Sequence, residues 1–189
     1  GEGTRVEVGS ELVRLVGNAR ALLAGERTAL NLLGRACAVA TLTRTHVDAA
    51  GPKLRVVDTR KTVPGLRILD KYAVACGGGS NHRMGLYDAI LIKNNHLAFH
   101  CRLTEAVAAA KKGAPLLKIE VEVGSPEAVE EAIRAGADRI LLDNFTVEQT
   151  RDAVKRCNGR VLLESSGGIT LETVRDFAEQ RVAAVGRTE

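Results

Sequence analysis

An α/β protein built on a parallel sheet is what this sequence predicts, and three observations predict it. Six short apolar runs, at 54–58, 89–93, 116–123, 139–143, 160–164 and 182–185, alternate with helical patterns at about 66–75, 103–111, 126–135, 147–157 and 171–179. The runs are nearly continuous, as in Ala89-Ile90-Leu91-Ile92 and Ile140-Leu141-Leu142, the pattern of strands covered by helices on their faces. The β/α units repeat every 22–35 residues or so, roughly the period of a (β/α)-barrel. With six strands visible, a doubly wound open sheet is the alternative, although no GxGxxG follows a strand to favour a dinucleotide fold.

The elements follow in order. Residues 4–8 and 12–16 have strand composition, with turn signals at Gly9-Ser10 and Gly17-Asn18. Two strands alone do not make a stable domain, so they are expected to join a sheet supplied elsewhere. A long helix is expected from Glu26 to Ala49, where Leu30, Leu33, Cys37, Ala40 and Val47 fall near helical spacing. From residue 54 the strand–helix alternation begins. Helix 126–135 carries Ala128, Val129, Ala132 and Ile133 on one face, and helix 171–179 carries Leu171, Val174, Phe177 and Ala178.

Composition narrows the function classes. Apolar residues at 45% and charged residues at 26% describe a globular chain, and no apolar run reaches membrane-spanning length. The net charge of +4 is diffuse and aromatics are 3%, which argues against nucleic acid. No signal-peptide pattern opens the chain. Cys37, Cys76, Cys101 and Cys157 have no CxxC or zinc spacing, so reduced thiols in a cytoplasmic protein are expected.

The charges fall at the ends of the strands, where barrel enzymes keep their sites. After the first strand comes Asp58-Thr59-Arg60-Lys61-Thr62-Val63-Pro64-Gly65, whose adjacent cations suit an anionic ligand better than a core. The second strand ends in Lys93-Asn94-Asn95-His96. The third reads Lys118-Ile119-Glu120-Val121-Glu122, and period two puts its three charges on one face, with Ile119 and Val121 towards the helices. The fourth ends in Asp143-Asn144 and the fifth in Glu164-Ser165-Ser166-Gly167-Gly168, whose small residues before a helix admit a phosphate. The loop Gly77-Gly78-Gly79-Ser80-Asn81-His82-Arg83 brings a His-Arg pair suited to carboxylate or phosphate. Arg27 at a helix start offers a further anion contact, whereas His46 and His100 lack polar company and read as structural or surface groups.

These stretches, with Glu26-Arg27-Thr28-Ala29-Leu30-Asn31, Lys71-Tyr72-Ala73-Val74 and Leu142-Asp143-Asn144-Phe145, resemble the quinolinate phosphoribosyltransferases in order and over almost the whole chain. The resemblance implies an incomplete TIM-like barrel at 26–189, preceded at 1–25 by a remnant of an N-terminal α/β sandwich domain, in subunits that pair head to tail. It implies transfer of phosphoribosyl from phosphoribosyl pyrophosphate to quinolinate, with decarboxylation to nicotinate mononucleotide, in NAD biosynthesis and with magnesium. Arg60, His82, Arg83 and Lys93 would hold the quinolinate carboxylates, assisted by Thr59 and Lys61, and Arg27 would reach into the partner's site. Glu122 and Asp143 would serve ribose, magnesium and pyrophosphate, with Lys118 beside them. Ser166, Gly167, Gly168 and Gly186 would cradle the 5′-phosphate.

The chain departs from the family's pattern in three ways. Most of the N-terminal domain is expected before Gly1, and a further loop and helix after Arg187-Thr188-Glu189. Asn94 stands where the family often has aspartate. Two other readings fit the same residues: a Schiff-base aldolase-like barrel using Lys93 or Lys118, and a non-catalytic barrel that binds phosphate ligands.

Overall fold

A computed structural model describes residues 1–100, 102–180 and 182–186, with the side chains of Phe99 and His100 outside that description. The readings of His100, Cys101 and 187–189 therefore lie outside the described residues.

Six parallel strands form one sheet in the order β1-β6-β5-β4-β3-β2: β1 is Arg55–Val57, β2 Ile90–Ile92, β3 Ile119–Val123, β4 Arg139–Asp143, β5 Leu162–Ser166 and β6 Ala184–Gly186. Each strand neighbours its sequence successor except at one seam, and β1 closes back onto β6. This is a barrel left open between β1 and β2, so the open doubly wound alternative falls away. At the seam the chain does not leave β1 bare: Ser80 bridges Val57 in parallel, its N–H on the Val56 carbonyl at 2.8 Å.

The strands form where apolar residues can be buried against helices. Ile119, Val121, Ile140 and Leu142 are at most 1% exposed beneath Val107, Val129, Ala132 and Ala153. Each such Val, Leu or Ile stabilises the fold by about 1.5–3 kcal/mol relative to exposure. The covering helices are α2 (Arg67–Cys76), α4 (Leu103–Gly113), α5 (Pro126–Ala135), α6 (Val147–Cys157) and α7 (Val174–Glu179). Their starts and stops are chemical. Thr146 and Gln149 form a reciprocal capping box on α6, and Gly136 ends α5 in the left-handed region. A short helix that the strand–helix pattern did not suggest, α3 (Asn94–His100), begins one residue after Lys93.

The first helix, α1, runs from Ala19 to Ala50, starting seven residues before the sequence suggests. Asn18, read as a turn residue, is its N-cap and accepts the N–H groups of Arg20 and Ala21. Thr43, His46 and Ala50 are buried in its second half, while residues 19–34 are exposed. His46 bonds the Leu42 carbonyl at 2.9 Å, a structural role.

The expected strands at 4–8 and 12–16 do not form. Both stretches are irregular and exposed, with Val8 and Val16 at 107% and 93% exposure. Strand propensity is realised only against a neighbouring strand, and none of the described residues supplies one there.

Candidate active site

At the C-terminal end of the sheet lies a cavity of about 340 Å³. Its cationic wall comes from the loop after β1 and the loop before β2, through Thr59, Arg60, Lys61, His82 and Arg83, with Lys93 after β2. Its acidic wall comes from β3, β4 and β5, whose alternate residues Glu120, Glu122, Leu141, Asp143, Glu164 and Ser166 point inward. Gly167 and Gly168 close the rim. The small residues there are required by geometry. Gly167 has φ 92°, and a Cβ on it would lie 2.1 Å from the Asn144 side-chain oxygen.

The cationic wall is held from behind. Arg67 donates to the Thr62 hydroxyl at 3.1 Å, the Met84 carbonyl at 3.1 Å and the Arg60 carbonyl at 3.3 Å, tying the two cationic loops together. Asp70 accepts two bonds from Arg35 at 2.7 and 2.8 Å and one from the Val63 N–H at 3.2 Å, linking α1, α2 and the loop after β1. The Arg60 Nε is buried without a hydrogen-bond partner among the described residues. A buried guanidinium donor left unpaired is costly, and an anion in the cavity would satisfy it. Burial, and then repulsion from Arg60, hold the Arg83 guanidinium below its usual basicity.

Within the cavity lining, His82 Nε2 lies 2.8 Å from Glu120 and 3.7 Å from Glu164, which also lies 3.4 Å from Arg139. The Arg83 N–H donates to His82 Nδ1 at 2.8 Å, so the neutral ring carries its proton on Nε2 and gives it to Glu120. Both ring nitrogens are thus engaged by protein. Burial, then the nearby Glu120 charge, push Glu164 up to about 7. The bond to Glu120 raises His82 above its usual value. His82, Glu120 and Glu164 bring ligand atoms within 4.8 Å of one another. Glu120 already faces His82, and Glu164 faces the Arg139 guanidinium, so each carboxyl of the group has a protein partner.

Eleven of the residues given a site role from the sequence line this one cavity: Thr59, Arg60, Lys61, His82, Arg83, Lys93, Glu122, Asp143, Ser166, Gly167 and Gly168. Lys93 lies 3.7 Å from Glu122. Gly186 ends β6 as the register partner of Ser166. Arg27 lies on the exposed half of α1, outside the cavity. Lys118 is a correction. Its side chain is 83% exposed and paired with Asp138 at 2.8 Å, at the opposite end of β3 from Glu122. Period two gave its face correctly but not its height, since four residues of strand are about 13 Å. Of the two lysines in the Schiff-base reading, Lys93 is the one that lines this cavity.

Sequence reasoning counted Asp58, Glu120 and Glu164 among the strand-end charges but gave them no role, and it passed over Arg139 and Lys71, which stand behind the cavity lining. Glu120 and Glu164 carried a signal, as charges in period with Glu122 and at a strand end. Lys71 carried none beyond its place in a motif, because a lysine on an amphipathic helix ordinarily faces water.

Residues 39–188 match the family model of the quinolinate phosphoribosyl transferase C-terminal domain, and residues 1–37 that of the N-terminal domain. The two models meet within α1, twelve residues beyond the sequence-based division at 25/26. The chain is 48% identical over 181 residues to the nicotinate-nucleotide pyrophosphorylase (carboxylating) of Mycobacterium leprae, covering 94% of this chain and 64% of that protein. It is 40% identical over 192 residues to a probable enzyme of the same name from Archaeoglobus fulgidus, covering 97% and 74%. The crystal structure of NadC from Streptococcus pyogenes superposes with a TM-score of 0.92 at 42% identity, over 98% of this chain and 66% of that one. The chain therefore spans a little under two thirds of relatives such as the Mycobacterium leprae protein.

Proposed function

Because the chain belongs to the quinolinate phosphoribosyl transferase family, we propose that its site transfers phosphoribosyl from phosphoribosyl pyrophosphate to quinolinate with loss of carbon dioxide, giving nicotinate mononucleotide for NAD biosynthesis. The observation that carries this reading is the two-sided cavity, with Arg60, Lys61, Arg83 and Lys93 facing Glu122 and Asp143 across one space. A dicarboxylate and a developing cation need opposite walls.

Arg60, Arg83 and Lys93 take the two quinolinate carboxylates, and the unpaired Arg60 Nε is a ready donor. Thr59 and Lys61 stand beside them. His82 supports this wall with its ring nitrogens committed to Glu120 and Arg83. Held there, the pyridine nitrogen is oriented towards the ribosyl carbon, and orientation is most of what a nitrogen nucleophile requires. As the carbon–pyrophosphate bond breaks, positive charge spreads over the ribosyl ring, and the Glu122 and Asp143 carboxylates stabilise it. The new carbon–nitrogen bond leaves the pyridine cationic. The adjacent ring carbon then keeps the electron pair of its bond to the carboxylate as carbon dioxide departs, and takes a proton. The cationic nitrogen is the electron sink, so the protein need supply little to this step. Ser166, Gly167, Gly168 and Gly186 offer small side chains and backbone N–H groups to the 5′-phosphate.

The donor set of Glu122 and Asp143 is all oxygen and suits a hard divalent cation such as magnesium. When bound, magnesium would neutralise the charge of the departing pyrophosphate. Formation of nicotinate mononucleotide from both substrates, lost in excess chelator and restored by magnesium, is the expected result. Full turnover in chelator would remove the metal from this reading.

We also propose that the protein works as a homodimer or larger homo-oligomer in which Arg27 serves a neighbour's cavity, because α1 presents Arg27 on an exposed face away from its own. The described cysteines Cys37, Cys76 and Cys157 are free thiols, which agrees with a cytoplasmic setting. No helix among the described residues is long and apolar enough to cross a membrane.

A further inference from the structure

We propose that Lys71 and Asp58 are positioning residues that pin the His82-Arg83 corner to the end of β1, so that Arg83 is held beside Arg60 before an anion arrives. This rests on the dicarboxylate-binding reading above.

Lys71 lies on α2, yet it is 1% exposed and heads the fully buried side chains by volume. Its ammonium bonds the Asp58 carboxylate and the His82 carbonyl, the latter at 3.0 Å. Asp58 Oδ1 also accepts the His82 N–H at 2.8 Å. With its amide turned to match its neighbours, Asn81 donates to Asp58 Oδ2 at 2.8 Å and to the Lys71 carbonyl at 2.9 Å. The two ends of one ion pair therefore grip the two backbone groups of one residue, His82. Two residues before it, Ser80 pairs with the end of β1, donating to the Val56 carbonyl at 2.8 Å and accepting from the Asp58 N–H at 3.2 Å.

The grip answers a physical need. Arg60 and Arg83 line the same cavity and repel, enough to depress the basicity of Arg83 along with burial. Without a restraint the corner carrying Arg83 would swing away from Arg60 until an anion drew it back, and that ordering would weaken binding. A buried ion pair is a poor source of stability, since apolar replacements are often as stable or more so. Its presence here is explained by what it holds. Lys71 does not line the cavity of Arg60 and Arg83; Asp58 does, but both its oxygens are already engaged by Lys71, the His82 N–H and Asn81, so the pair acts through the corner.

The test compares the intact protein with Lys71→Met and with Lys71→Met/Asp58→Asn, which removes both charges and leaves neither buried alone. Three quantities are read: KM for each substrate, kcat at saturating quinolinate, and amide hydrogen exchange at residues 81–83. In the double variant we expect the quinolinate KM to rise about tenfold or more, the phosphoribosyl pyrophosphate KM to stay within about twofold, kcat to stay within about threefold of the intact protein's, and exchange at 81–83 to quicken about tenfold while β4 and β5 are unchanged. Equal rises in both KM values would show general softening and overturn the proposal, as would a folded double variant with unchanged quinolinate KM. If the unmodified protein does not turn over quinolinate, the proposed function fails on its own. Exchange at 81–83 then decides for the pin if it quickens and against it if it does not.

Discussion

Arg60 is the residue on which most depends. Its Nε is buried without a partner, and its carbonyl is fixed by Arg67. Arg60→Ala is therefore expected to weaken quinolinate binding by about 2–4 kcal/mol, the cost of leaving a desolvated carboxylate unpaired. Calorimetry showing unchanged affinity would take Arg60 out of the site. Glu164 gives a pH signature. Its carboxyl is pushed up to about 7 from 4.5, so between those values the folded protein holds a proton that the unfolded chain releases. Stability then falls as pH rises from about 4.5 to about 7. His82, raised by Glu120, adds to the same trend above its unfolded value, as stability present below that value is lost on raising the pH. Glu164→Gln should flatten the slope between pH 5 and 7 in denaturant titrations and stabilise the protein at about pH 8. An unaltered slope would contradict a protonated Glu164 in the fold. At this scale the sequence was legible where charge and strand end coincide, as at Asp143. It was not legible at Lys71, whose burial depends on an aspartate thirteen residues away in the chain.

Elements were legible wherever the chain supplies its own neighbours. The strands of the barrel and the helices α5 and α6 have local apolar patterns that match their burial, so their positions follow from period alone. The stretches 4–8 and 12–16 have strand composition but no adjacent strand, and composition could not make up for that. The start of α1 was missed because Asn18 works equally well as a turn residue and as an N-cap. The height of Lys118 was missed because a period fixes a face, not a level. The exposed first half of α1 carries Arg27 together with Leu22, Leu23 and Leu30. If that face serves a second subunit, mixing Arg27→Ala with Lys93→Ala protein should restore activity. Mixed dimers regain one cavity with both cations intact. No recovery after demonstrated subunit exchange would contradict shared sites.

The molecule is built on a parallel barrel open at one seam, whose cavity carries charged and polar groups beside Leu91 and Leu141. Apolar packing lies outside the strands, under the helices, and this frees the inner face of β3, β4 and β5 for carboxylates. The seam beside β1 is filled by the 80–83 segment, which turns the gap in the barrel into the cationic wall of the cavity. Cations on that side and carboxylates on the other suit a reaction that joins an anionic ring to a cationic sugar centre. The most direct measurement is carbon dioxide release from quinolinate labelled in the carboxyl next to the ring nitrogen. Release that requires phosphoribosyl pyrophosphate and is lost in Lys93→Ala is the expected result. Release without phosphoribosyl pyrophosphate, or none from the intact protein with both substrates and magnesium, would contradict phosphoribosyl transfer at this site.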